Sequence, residues 1–446
     1  MEQALVGNWA SHDASDGHTT QDETARTVSD RLTIYGMVLF VIGSVVMFSA
    51  SSSFRPTIAG LSLHPCQFPL VFLVPLIFLT RLNHFPALPL FMIVVFSGIY
   101  CAASLSGSAP FTISEAASPL QETVKLLASV IMTVTVALAI QSRRDYVAAG
   151  VGLTLSVGLL AILSLRGFGT EEGGAIKDML DTGNKNAYSL YALPALLIAG
   201  QIILNHPVSA FTKLLLVVAI IASVVGIYAS ANRSGYVGAL LIGILLFWDR
   251  KAWGLFVVGG IALAVMYFLV NFVGTETMER RIQQTQEGIL SDQLRKDLFI
   301  QSLDIAVTHP LLGVSPEFLP FELGRRVDTG LLAVYPHNVI AQVAGGCGLI
   351  CLAAFLGIGG TLWRWVPRKQ GSRPLDPEFR EARRILRMML VLYIFRGQFT
   401  HEILYNPGFS MGLGIAIGYC IITADASRRK LEDHETEAEQ EEALLV

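Results

Sequence analysis

Apolar runs of near-spanning length recur along the whole chain, separated by short polar turns. They fall at Ile34–Ser49, Pro69–Leu82, Phe85–Ala103, Val124–Ile140, Tyr146–Leu165 and Ala187–Leu204. Six more follow at Leu214–Tyr228, Gly235–Phe247, Leu255–Val273, Val339–Leu362, Ile385–Phe399 and Gly408–Thr423. Hydrocarbon offers the backbone no hydrogen-bond partner, so only helices and closed barrels cross it. The pattern therefore predicts an all-α, polytopic integral membrane protein of about twelve transmembrane helices. It divides the chain into a disordered tail over 1–31, helices one to nine over 32–273, a large polar loop over 274–336, helices ten to twelve over 337–424 and an acidic, solvated tail over 425–446.

Basic residues give the orientation. Arg81, Arg143 with Arg144, Lys213, Arg250 with Lys251, and Arg364, Arg368, Lys369 and Arg373 all fall in alternate connections. Arg428, Arg429 and Lys430 follow the last span on the same side. The positive-inside rule assigns these connections and both termini to the cytoplasm, and an even number of spans agrees with that. The loop over 274–336 then lies on the far side and is the only connection large enough to fold by itself. Leu290, Leu294, Leu298, Leu303 and Ala306 follow helical spacing within it. They predict an amphipathic helix on the membrane surface that ends at His309-Pro310, because proline cannot continue it well.

Composition narrows the chemistry. Charged residues make up 15% of the chain against a hydrophobic share of 52%, a balance suited to lipid. A net charge of −3 leaves no electrostatic footprint for nucleic acid. The five cysteines lack C-x-x-C spacing, and Cys347 and Cys351, four apart, are expected to pack in the core. No Asp or Glu falls inside a predicted span, which argues against an ion-coupled transporter. Neither a P-loop nor a G-x-G-x-x-G opening a helix is present. No apolar stretch begins before Leu32, so no cleavable signal peptide is expected.

Cations on the far side stand out because orientation alone does not account for them. Arg233 lies in a very short turn, Ala231-Asn232-Arg233-Ser234-Gly235, between two spans. It is either a snorkelling interfacial arginine or a fork for phosphate oxygens. Arg280, Arg281, Arg295, Lys296, Arg325 and Arg326 add a cationic set in the large loop, with Arg295 on the predicted helix beside Leu294 and Leu298. His337, in Tyr335-Pro336-His337-Asn338, sits where the loop meets the next span. It is either a capping histidine or a general base at the membrane–water boundary. Arg396, His401 and Glu402 near the last outer loop read as a structural ion-pair cluster rather than part of a pocket.

Several local motifs, taken in order, resemble those of the O-antigen ligase and polymerase superfamily of bacterial envelope glycosyltransferases. Gly183-Asn184-Lys185-Asn186-Ala187 is similar to the family's Asn-rich turn that opens a mid-chain span. Ala231-Asn232-Arg233-Ser234-Gly235 is similar to its Ser-Arg-Ser/Gly turn, with Asn232 in place of the usual serine. His309-Pro310-Leu311-Leu312-Gly313-Val314 resembles its Pro-Leu-x-Gly-x-Gly stretch, with Ser315 where the second glycine stands. Pro336-His337-Asn338 and Gly346-Cys347-Gly348-Leu349-Ile350 resemble the His-Asn and Gly-Leu-Ile elements that follow, although Ala344-Gly345 replaces an acidic residue often found before the latter. The resemblance covers roughly Thr182 to Leu356.

What this resemblance implies is a metal-independent glycosyltransferase of the bacterial inner membrane, without cofactor, facing the periplasm through its large loop. Its donor would be an undecaprenyl-diphosphate-linked oligosaccharide and its acceptor a glycan or lipid A core. Membrane lipids surround it, and a chain-length regulator is a candidate protein partner. His337 and Arg295 would be catalytic, and Arg233, Asn338, Arg281 and Arg326 would bind substrate. A polymerase extending a surface polysaccharide, O-antigen or exopolysaccharide, is favoured over an O-antigen ligase, because the Asn-Lys-Asn turn is closer to exopolysaccharide polymerases. A lipid-linked-oligosaccharide flippase would show internal repeats and broken, charged helices, and is the more distant alternative.

Overall fold

The computed structural model describes residues 32–46, 57–58, 61–62, 66, 68–106, 119–165, 187–229, 233–247, 289–327, 333–365 and 376–445. Thirteen α-helices are found among them. They are α1 (Ile34–Val46), α2 (Phe68–Arg81), α3 (Ala87–Ser106), α4 (Pro119–Ala139), α5 (Arg143–Leu165), α6 (Ala187–Asn205) and α7 (Ala210–Ala229). The remainder are α8 (Arg233–Phe247), α9 (Ile289–Thr308), α10 (Leu319–Arg326), α11 (Val339–Trp363), α12 (Pro377–Gly397) and α13 (Pro407–Leu445). The extended structure among the described residues is a two-residue hairpin, Thr57–Ile58 paired with Leu61–Ser62.

Eleven of the twelve predicted spans coincide with a helix, and the twelfth, Leu255–Val273, lies outside the described residues. Six of these helices are long and apolar enough to cross a bilayer, and three shorter apolar helices accompany them. The outward faces carry bare apolar side chains, with Leu79 87% exposed, Phe211 69% and Ile34 68%. A rim that apolar is matched to lipid rather than water. The protein is an all-α polytopic membrane protein.

Polar contacts sort the helix ends into two poles. At one, Thr33 donates its backbone N–H and its hydroxyl to Asp145 at 2.8 and 3.0 Å, tying the start of α1 to the start of α5. Arg143 pairs there with Glu378, His84 with Asp425 at 2.8 Å, and Lys430 with Asp376 at 2.9 Å. Arg384 and Arg387 donate to the terminal carbonyls of Leu245 and Trp363. This pole, rich in paired charge, gathers most of the basic residues that gave the orientation. Asp145, placed by sequence just outside a span, is fully buried in the first turn of α5, where its carboxylate accepts from the Thr33 N–H and hydroxyl and the Gln141 N–H, and its own N–H donates to the Ser142 hydroxyl.

At the opposite pole the large loop closes over the bundle. The helix predicted there is α9, and it ends at Thr308, one residue before His309-Pro310. Leu298, Ile305 and Ala306 form its buried face, while Leu294 is partly covered. That face packs against α11 and α10 rather than on a lipid surface. Within the acidic tail expected over 425–446, residues 432–441 are exposed, as their charge requires, but the tail continues α13 as helix to Leu445. From Pro407 to Asp425 the helix rises about 27 Å, close to one hydrocarbon thickness, so the remainder projects past the charged pole.

The loop enters the bundle at a break in α11. Gly348 takes φ 83° and ψ 173°, which removes the helical bond that the Leu349 N–H would make to the Gly345 carbonyl. Both freed groups are answered by the segment after α9. The Leu349 N–H donates to the Pro310 carbonyl at 2.8 Å, and the Val314 N–H donates to the Gly345 carbonyl at 3.0 Å. Gly313, at φ 63°, has the Gly345 carbonyl 2.4 Å from where a Cβ would sit, and a Cβ on Gly348 would come 2.6 Å from the Pro310 carbonyl.

Gly348→Ala should therefore cost about 1–3 kcal/mol from the left-handed backbone alone, before any clash is relieved. A lowered unfolding midpoint in detergent, with greater protease access after Thr308, is the expected result. An unchanged midpoint would mean that the break is not held by the loop.

Candidate functional site

Three of the sequence motifs open helices at the loop pole, and the last turn of α12 connects them. Asn338 caps α11 through its side-chain oxygen, which accepts from Ile340 N–H at 2.9 Å and Ala341 N–H at 3.1 Å. Its amide nitrogen donates to Gln398 Oε1 at 2.7 Å, just past α12. Two residues earlier, Arg396 donates to the hydroxyl of Ser189 in the first turn of α6 at 2.9 Å, and to the hydroxyl of Ser234 in the first turn of α8. The turns containing Ala187, Arg233 and His337 are thus fastened to one helix end.

His337 precedes the cap in a left-handed conformation, φ 49°. Such a φ is uncommon outside glycine and is a reason to look for function. His337 is exposed, yet nearby protein desolvates its imidazole. That desolvation, and secondarily the positive charge of Arg295, hold the imidazole below its ordinary range. Arg295 itself is exposed on α9. The two residues expected to be catalytic are therefore near enough to act on each other electrostatically.

The expected binding residues are placed less uniformly. Asn338 is occupied in capping α11 and holding Gln398. Arg233 is the first residue of α8, beside Ser234. Arg326 donates to Glu322 at 2.8 Å and pairs with Asp304 at 2.5 Å, joining α10 to α9. Glu322 also accepts from Arg325 at 2.7 and 3.0 Å, and these bonds, the Arg325 bond foremost, keep its carboxyl below the usual range. Arg326 therefore acts as a brace within the loop. Arg281 lies outside the described residues.

The reading of Arg396 as part of an ion-pair cluster gives way to a different arrangement. Arg396 is fully buried with hydroxyls on its terminal nitrogens, and Glu402 acts on it through its charge. The sequence signal that could have found it is an arginine at the far-side end of a span, with Gln398 two residues on. Ser189, Ser234 and Gln398 gave no such signal. Among the described residues, no group of three His, Cys, Asp or Glu side chains is arranged to hold a metal ion. Cys347 and Cys351 are both fully buried in the core, and the Cys351 thiol faces the Phe96 carbonyl at 3.9 Å.

Chemically, the pole offers an imidazole kept neutral near pH 7, a nearby guanidinium and a second, buried guanidinium. These suit removal of a proton from a hydroxyl and stabilisation of an anion. Residues 218–356 match the model of the family described as O-antigen ligase, a segment that runs from α7 to the middle of α11 and includes Arg233, Arg295 and His337. No curated protein matches the chain. Over this segment the chain is similar to the O-antigen ligase family, which supports the resemblance drawn from its motifs.

Proposed function

We propose that the protein is a periplasm-facing polysaccharide polymerase of the bacterial inner membrane. It transfers glycan from an undecaprenyl-diphosphate-linked donor to a growing O-antigen or exopolysaccharide chain. The observation that carries this reading is His337 in a left-handed turn at the capped opening of α11, within range of the Arg295 charge. In the proposed step, neutral His337 takes the proton of an acceptor hydroxyl as its oxygen bonds to the anomeric carbon. The bond from that carbon to the diphosphate breaks, and undecaprenyl diphosphate leaves with the electron pair. Arg295 and Arg233 steady its growing charge, and no metal ion or cofactor takes part. Asn338 fixes His337 by anchoring the turn at both ends.

The family supports a ligase- or polymerase-type activity, and the two differ in their acceptor. The polymerase is favoured by the Asn184-Lys185-Asn186 turn, and a ligase would instead deliver finished glycan to lipid A core. Likeness to this family also makes a flippase the weaker alternative. A chain-length regulator would act with a polymerase and has no place with a ligase. The charged pole, with both termini, would face the cytoplasm, as the basic residues indicate.

Purified protein in lipid, given an undecaprenyl-diphosphate oligosaccharide, should build a product ladder on the prenyl carrier. Product formed only when lipid A core is added would replace the polymerase with the ligase. Loss of the base in His337→Ala should lower transfer by about 10²–10⁴-fold. Full activity in that variant would remove His337 from the chemistry.

The pH dependence has a definite sign. Protonation of His337 abolishes the base, so activity should fall on the acid side, with its midpoint below that of an ordinary histidine. Arg295 opposes that protonation. In Arg295→Ala the imidazole protonates more readily, so the acid limb of kcat/KM should move to higher pH, whatever happens to the maximum. A limb that stays in place would separate the two residues. Arg326→Ala, by contrast, should lower the stability of the α9–α10 unit while changing donor KM by less than about threefold. A large rise in donor KM with stability intact would return Arg326 to the binding site.

A further inference from the structure

Arg396 is the largest fully buried side chain among the described residues. Its two terminal nitrogens donate to the neutral hydroxyls of Ser189 and Ser234. Its Nε is buried without a hydrogen-bond partner among the described residues. A guanidinium carries its charge in proteins, and burying it is costly unless it is both paired and fully hydrogen-bonded. Here neutral hydroxyls supply the bonds to its terminal nitrogens. Glu402 acts on it through its charge.

The position is as informative as the burial. Ser234 follows Arg233 in the first turn of α8, so the Arg396 charge lies directly behind that turn. At the other pole, arginine and lysine meet carboxylates in Arg143–Glu378 and Lys430–Asp376. Those cations are part-exposed and paired, whereas the fully buried Arg396 has hydroxyls on its terminal nitrogens. The same helix end holds Asn338 through Gln398. One segment of three residues therefore governs the spacing between the α8 opening and His337.

We propose that Arg396 is a positioning residue for glycan transfer, which fixes the openings of α6 and α8 through Ser189 and Ser234 and sets a buried positive charge, bonded to neutral hydroxyls, behind the donor diphosphate. This deepens the transferase reading and rests on it. Arg396 acts through Ser234 and the turn that carries Arg233, and through its field, rather than by touching the reacting atoms.

The test uses the full-length protein in nanodiscs, with undecaprenyl diphosphate as the binding probe and lipid-linked oligosaccharide for transfer kinetics. Arg396→Gln should weaken probe binding and raise donor KM by about tenfold or more, with a smaller effect on kcat. Arg396→Lys, which keeps the charge but not the fork, should recover much of the affinity. A glutamine variant with a lowered unfolding midpoint but unchanged probe binding and KM would reduce Arg396 to a structural clamp. Equal losses in the lysine and glutamine variants would overturn the role of charge. If Arg396→Gln does not assemble, the Ser189→Ala/Ser234→Ala double variant decides, since it keeps the charge and frees the fork. It should raise donor KM several-fold, and an unchanged KM overturns the proposal. Wild type that binds the probe in an Arg396-dependent way, yet transfers no glycan to any acceptor, would overturn the transferase reading and uphold the placement of the charge.

Discussion

A helix that breaks inside a membrane frees a carbonyl and an amide that lipid cannot satisfy, and the rest of the loop pole depends on how α11 meets that constraint. Gly348 opens the break, and the segment after α9 closes it with one acceptor, Pro310, and one donor, Val314. The exchange is one for one. Because those bonds can form only with residues 310–314 against Gly345 and Leu349, the large loop has a single register on the bundle. The consequence reaches the chemistry, since α9 leads directly into that segment and Arg295 sits on α9. Fixing Pro310 therefore fixes how far Arg295 stands from His337 at the start of α11.

The two poles handle charge in opposite ways. The basic pole neutralises it, with ion pairs that draw α2, α5, α12 and α13 together. The loop pole neutralises Arg325 and Arg326 on Glu322, which leaves that part of the loop electrically quiet. Towards the helix openings, Arg396 meets two serine hydroxyls instead of a carboxylate. A site for a diphosphate needs such an excess of positive potential, because a cation already paired has little left to offer a ligand. The division of labour among the arginines follows from their partners rather than their number.

Much of the fold was legible in the sequence because lipid leaves so few options. Apolar runs had to be helices, and helices are what Ile34–Val46 through Pro407–Leu445 form. Tertiary partners were much less legible. The leucine spacing of α9 marked a face through Leu303, but Ile305 is the buried residue and Leu303 only partly so. The spacing rule assumes a flat apolar surface, whereas α9 packs against α11 at Gly345, a position that the Ser302 carbonyl approaches closely. The Pro-Leu-x-Gly and Gly-x-Gly-Leu-Ile motifs were each visible, yet nothing in either string says that one bonds the other. At the proposed site, His337 and Arg295 stand out in the sequence by type and place. The hydroxyl partners of Arg396 do not, since they sit 162 and 207 residues away in sequence.

The placement of His337 follows from the two substrates it would have to serve. A polyprenyl-linked donor stays in the membrane, while an acceptor hydroxyl belongs to a hydrated glycan, so the reacting atoms can meet only at the boundary. A base buried among the helices would be out of the acceptor's reach, and one free in water would titrate as an ordinary histidine. The left-handed turn before α11 avoids both outcomes. It leaves His337 exposed while nearby protein desolvates the imidazole and Arg295 acts on it through its charge. The backbone strain is held in place by the Asn338 cap on one side and by Gln398 on the other. A residue without a small polar side chain at position 338 would release the turn, and the imidazole would lose the setting that keeps it neutral.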